Sequence, residues 1–190
     1  MVTNAVGFLL ETLFGLFIYA FLLRFLFQRL RVPLGNPLGH FLFALTDFAV
    51  KPMRRVLPGW KGVDWSTLLL AWLAEFVLTI ALAWLGGFPF AVAGAAPWLT
   101  LFLLSGVNLL RTFIQMYIFI ILVQALLSWV QPYSPANAML EVLTRPVLRP
   151  LRQIIPPIGG VDLTPLVAIV LAQLILMLPV AWLDMLVRSL

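Results

Sequence analysis

The chain has 190 residues, 63% of them hydrophobic and 10% charged, with a mean hydropathy of +1.09. A soluble domain carries about 25% charged residues, so this composition excludes a water-facing fold and reads as an all-α integral membrane protein. Its net charge of +5 bears on which loops face anionic lipid, while the absence of cysteine and the single histidine, His40, exclude disulfides, thiolate chemistry and an intrachain multi-histidine metal centre.

The first apolar stretch covers about residues 5–27. No Lys or Arg precedes it, Glu11 interrupts it and no small-residue cleavage site follows, so a retained span is expected in place of a signal peptide. Further stretches cover about 66–85, 105–129 (with an apolar lead-in from 98) and 163–186. Each approaches or exceeds the ~20 residues that cross a bilayer. Each should be helical, because lipid offers no partner for an open backbone. Trp60, Trp65 and Trp129 fall near one set of ends and Trp84, Trp98 and Trp182 near the other, as an aromatic belt requires.

The connections differ in charge. Arg29, Arg31, Lys51, Arg54, Arg55 and Lys61 lie between the first two spans, and Arg145, Arg149 and Arg152 between the last two. The middle connection, 87–97, has no charge. The positive-inside rule then places both basic connections in the cytoplasm and both termini outside.

Residues 46–68 recur, 98 positions on, as residues 144–166 without a gap. Thr46/Thr144, Pro52/Pro150, Arg54/Arg152, Pro58/Pro156, Gly62/Gly160, Val63/Val161, Asp64/Asp162 and Leu68/Leu166 are identical, and Lys51/Arg149 keeps its charge. Most of these are rare letters in a Leu-rich chain, so the chain is a tandem duplication. Repeat 1 is 1–86, repeat 2 is 98–190, and 87–97 is the outer linker. Two spans return the chain to its starting side, which makes the repeats parallel.

Each basic connection holds an amphipathic segment, 36–58 or 134–156, opened by Asn36-Pro37 or Ser134-Pro135 as N-cap and first-turn proline. Glu141, Arg145, Arg149 and Arg152 recur at helical spacing against Leu140, Leu143, Val147, Leu151 and Ile154. In the first copy His40, Asp47, Lys51 and Arg54 oppose Phe41, Leu45, Phe48 and Val56. This predicts a helix in the headgroup plane, apolar side down, with Lys51, Arg54, Arg55, Arg145, Arg149 and Arg152 facing anionic lipid or a partner. Pro52 and Pro150 should kink or divide the helices. Pro58-Gly59 and Pro156-Pro157 end them, and Gly62 and Gly159-Gly160 allow the turn. Asp64 and Asp162 then read either as N-caps of the next span or as ligands.

Polar residues inside the spans pair by repeat position: Glu11 with Arg111, Arg24 with Gln124, Glu75 with Gln173. Parallel repeats set such partners at similar depth, and an ionised group at mid-bilayer costs about 2.5–3.5 kcal/mol. Glu11 and Arg111 either form an ion pair across the repeat axis or snorkel separately. Glu75 is either a functional carboxylate or a neutral acid bonded to Gln173 as structural glue. Arg24 is expected to snorkel to lipid phosphate. No Walker loop, dinucleotide fingerprint, nucleophile elbow or zincin motif occurs. No catalytic residue, cofactor, metal or nucleic-acid partner is therefore expected.

The pattern Asn/Ser-Pro, then Leu-Thr-x-Pro-x-x-x-Pro-x-Arg-x-x-x-Pro-Pro-x-Gly-x-x-Asp, resembles the YggT (YlmG) family of small bacterial and plastid membrane proteins, over nearly the whole chain. The second copy fits closely. The first departs at Asp47-Phe48 and at Pro58-Gly59-Trp60-Lys61, and Gln124 stands where the family tends to have Arg. The resemblance implies a bacterial inner membrane and roles in envelope or osmotic-stress phenotypes, cell division and shape. In plastids it implies nucleoid distribution and cytochrome-complex assembly. The expected function is a non-enzymatic scaffold or assembly factor acting on anionic lipid or a membrane protein partner. The alternative is a small channel or transporter, built as a homo-oligomer, that uses Glu75, Gln173, Arg24 and carbonyls freed by Pro52 and Pro150.

Overall fold

The computed structural model describes residues 2–33, 35–60, 62–90, 94, 96–156 and 162–189. The regular elements among them are helices: α1 (Val2–Arg29), α2 (Pro37–Val56), α3 (Trp65–Leu85), α4 (Ala96–Val130), α5 (Pro135–Ile154), α6 (Thr164–Ile175) and α7 (Ala181–Arg188). A π-helical turn, Leu176–Val180, joins α6 to α7. Pro179 sits in that turn. A proline has no amide proton and its ring crowds the carbonyl four residues back, and the wider π turn relieves that clash.

α1, α3, α4 and the α6–α7 rod are long and apolar enough to cross a membrane. Leu9 and Leu13 of α1, Leu122 of α4, and Leu166, Leu174 and Met177 of the last span point outward and stay exposed. Lipid tails make that surface stable where water would not.

Local chemistry sets the starts of the two short helices. Asn36 Oδ1 accepts from Gly39 N at 2.8 Å, and Ser134 Oγ accepts from Asn137 N at 3.1 Å, each with proline next in line. The predicted division at Pro52 and Pro150 does not occur. α2 and α5 each run unbroken for 20 residues, Pro146 included. All three prolines lie on exposed faces, where the carbonyl left without a donor can turn outward.

α2 packs on α1 and α3, and α5 on α4 and α6. The row of α2 that meets the spans is Gly39, Leu42, Thr46 and Val50, and in α5 it includes Leu143, Thr144 and Leu148. Phe41, Phe48, Val56 and Ile154 of the predicted lipid-facing row are exposed. The row seated on the spans includes Thr46 and Thr144, whose hydroxyls bond carbonyls of their own helices.

One cluster of buried residues joins α1 (Ile18, Leu22, Phe27), α2 (Leu42, Val50), α3 (Ala71, Leu78), α4 (Met116, Ile120) and Leu143 of α5. The last span meets α4 through two smaller clusters, one around Ile121, Leu148 and Ala168 and one around Leu104, Val107, Val180 and Val187. Between α1–α2 and α4–α5 runs an apolar groove of about 590 Å³. Its walls carry Leu16 and Met116, Tyr19 and Phe119, Leu23 and Val123, Leu42 and Leu140. These are equivalent positions of the two repeats, so the repeat axis runs through the groove and along the spans. Equivalent residues at one depth are what parallel repeats require.

Candidate functional site

Of the residues identical between repeats, Arg54 and Asp64 meet after the first short helix, and Arg152 and Asp162 after the second. Trp60 and Val63 exchange two backbone hydrogen bonds of 3.0 Å, with Gly62 at φ 74°, a left-handed conformation that glycine adopts without strain. This turn carries Asp64 back beside α2. Arg54 Nη2 donates to Asp64 Oδ2 at 2.5 Å. Asp64 also accepts from Ser66 Oγ, Thr67 Oγ1 and Thr67 N, capping α3. Burial pushes its carboxyl upward, but the bonds from Arg54, Ser66 and Thr67 outweigh that and hold it at about 2.

Repeat 2 builds the same latch more loosely. Arg152 Nε donates to Asp162 Oδ2 at 2.9 Å, and Asp162 Oδ1 accepts from Thr164 N at 2.9 Å and Thr164 Oγ1 at 2.6 Å. Here too the bonds overcome burial and lower the carboxyl's pKa. Asp162 is 39% exposed where Asp64 is 7% exposed. Pro58 and Pro156 stand just before these turns, while Gly160 and Lys61 lie outside the described residues.

Above the first latch sits a buried cation. Arg24 is 2% exposed in the last third of α1 and does not snorkel, because α2 supplies its partners. Its Nη1 donates to Thr46 Oγ1 at 2.6 Å and to Asp47 Oδ1 at 2.7 Å. The Phe43 ring lies 4.5 Å from its Cζ. Asp47 also accepts Lys51 Nζ at 2.8 Å, and that bond, with Arg24's, holds its carboxyl below the usual range. Thus Asp47 joins buried Arg24 to the surface. The signal was present in the sequence: Asp47 is where copy 1 leaves the family pattern, and it faces the arginine that copy 2 lacks.

At the matching place in repeat 2, Gln124 is buried and its Oε1 has no hydrogen-bond partner among the described residues. Arg145, in Asp47's position, is exposed. What ties α4 to α5 instead is Tyr117, whose hydroxyl donates to Leu143 O.

The pairings expected inside the spans are not formed. Arg111 Nη2 lies 3.8 Å from Asp184 Oδ1 of α7, and Asp184 Oδ2 accepts from Arg188 Nε at 2.9 Å. Glu11 is exposed on α1 and forms no ion pair among the described residues. Glu75 is buried on α3 and its carboxyl has no hydrogen-bond partner among the described residues, while Gln173 faces outward from α6. Equal depth does not bring these residues together, since α3 packs on α1, α2 and α4, and α6 on α4 and α5. Asp184 escaped the repeat comparison because it has no acidic counterpart in copy 1.

Of the six basic residues assigned to the membrane surface, Lys51, Arg54 and Arg152 are thus committed to carboxylates. Arg55, Arg145 and Arg149 are exposed and form no ion pair among the described residues. Among the described residues no group of three or more His, Cys, Asp or Glu is placed to hold a metal ion.

The family described as CCB3/YggT matches residues 3–85 and again 103–183. An uncharacterised protein of Pseudomonas aeruginosa is 35% identical over 92% of this chain and 88% of its own length. An uncharacterised protein of Vibrio alginolyticus, encoded in the proC 3′ region, is 36% identical over 86% of this chain and 87% of its own. Uncharacterised YggT of Escherichia coli K12 is 33% identical over 90% of this chain and 87% of its own. No solved structure matches the chain.

Proposed function

The chain belongs to the CCB3/YggT family, and on that premise we propose that it is a non-enzymatic scaffold or assembly factor of the bacterial inner membrane. Its part would be in envelope organisation, cell division or osmotic-stress tolerance, with both termini outside. The observation that carries this reading is the division of labour among the basic residues. Arg54 and Arg152 latch each short helix to the following span. Arg55, Arg145 and Arg149 are left on the outer face of held helices, where a cytoplasmic partner or anionic lipid can reach them. Such helices present charge at a fixed place, which is what a docking platform needs.

Affinity purification of the full chain from membranes tests this. Recovery of one reproducible membrane partner, lost when Arg55, Arg145 and Arg149 are together changed to Gln, is the expected result. No reproducible partner, with liposome binding indifferent to anionic lipid, overturns it.

Glu75 favours a second reading, a small conductor, since a buried carboxyl without a partner is expensive inside a span. Purified protein in liposomes that passes cations, with flux lost in Glu75→Gln, would select it over the scaffold. The two assays belong on one preparation.

A further inference from the structure

A second apolar crevice, of about 680 Å³, opens beneath α5 in repeat 2. Its walls come from α4 between Phe113 and Ile121, from α6 between Ala168 and Ile175, from Pro146 and Pro150 of α5, and from the last turn of α1, where Arg29 stands. Nine residues of α4 make it about 12 Å tall, comparable with one leaflet's hydrocarbon depth. It lies at the end of the spans that carries the basic connections.

At the matching place in repeat 1, Phe17 of α1 and Phe48 of α2 meet edge to face with ring centroids 5.9 Å apart. Tyr117 and Pro146 hold those positions in repeat 2. Tyr117 turns its hydroxyl to Leu143 O, and proline is too small to meet it. The residues at this seam therefore differ between the two copies.

The charge at its mouth is one-sided. Arg29 lines it. It is exposed and forms no ion pair among the described residues. Apolar walls within the bilayer, with an unpartnered guanidinium at the headgroup end, complement one kind of molecule: an acyl chain carrying a phosphate.

We propose that this crevice binds one anionic phospholipid, an acyl chain between α4 and α6 and its phosphate held by Arg29. The bound lipid completes the packing that Phe17 and Phe48 supply in repeat 1. The proposal depends on the membrane-spanning fold and not on the scaffold role, so either can fail alone.

Native mass spectrometry of the full chain, delipidated in detergent and offered equal phosphatidylglycerol and phosphatidylcholine, tests it. The expected result is one retained phosphatidylglycerol per chain. Ala172→Phe, which fills the crevice, should lower that retention about tenfold. Arg29→Gln should keep a bound lipid but abolish the preference between headgroups. Retention unchanged by Ala172→Phe overturns the proposal, as does a second copy of the chain that this change dissociates. If Ala172→Phe does not fold, phosphatidylglycerol bearing a mid-chain diazirine decides on the unaltered protein. Cross-links concentrated at 113–121 and 168–175 support the site, and labelling spread evenly over the outward faces of all spans overturns it.

Discussion

The two repeats perform one task, holding a short helix against two spans, with different chemistry. In repeat 1 a buried guanidinium, Arg24, reaches across to Thr46 and Asp47, and Phe17 meets Phe48 over the same seam. In repeat 2 Gln124 leaves its Oε1 unbonded among the described residues, Arg145 points outward, and a crevice stands where the rings would meet. The latch shared by both, arginine to aspartate ten residues on, is buried in the first copy and half open in the second. Duplication preserved the latch and changed the seam. The first copy reads as the rigid half and the second as the half that keeps a place for something else.

Removing one partner of the buried ion pair should break this contrast most. Asp47→Ala leaves Arg24 with only Thr46 Oγ1 and the Phe43 ring and should cost about 3 kcal/mol, the lower end for a broken buried pair because Asp47 is partly exposed. The equivalent change Arg145→Ala should stay within about 0.5 kcal/mol. Unfolding in mixed micelles measures both, and equal losses would erase the asymmetry.

Acid should act next. Asp64 is held at about 2 against an ordinary 3.8, so the stability it contributes is complete above about pH 4 and is lost as pH falls through 2, a total of about 2 kcal/mol. Asp64→Asn should remove that acid dependence. Asp162→Asn should alter it less, since Asp162 is more exposed. A melting temperature followed from pH 5 to pH 2 in both variants decides this.

Tyr117→Phe removes the hydroxyl that ties α4 to α5 and should cost about 1 kcal/mol. Faster amide exchange confined to α5 should accompany it; exchange spread equally to α2 would deny that the repeats are held separately. The smallest effect belongs to the outward arginines. Arg55→Gln and Arg149→Gln should each change stability by less than about 0.5 kcal/mol, while weakening co-sedimentation with anionic liposomes.

Much of the architecture could be read from the chain. Four spans, two short helices and their capping residues follow from apolar length and from Asn36-Pro37 and Ser134-Pro135, which act over a few residues. The latch was half legible: Arg54, Asp64, Arg152 and Asp162 stood out as repeat identities, yet their pairing across ten residues depends on how the chain between them folds, which in repeat 1 turns at Gly62. Which row of α2 and α5 seats on the spans was not legible, because Thr46 and Thr144 satisfy their hydroxyls within the helix and so behave as small buried residues.

Composition and duplication alone determined that this is a membrane protein of two parallel repeats, because hydropathy and repeat offset report position along the chain and depth in the bilayer. Only the tertiary structure decided which polar groups meet: Arg24 with Asp47, Arg111 with Asp184, Glu75 with nothing among the described residues. Depth is one coordinate. Contact also requires the rotation of each helix about its axis and the lateral order of the helices, and both are set by how α1, α3, α4 and the last span pack together.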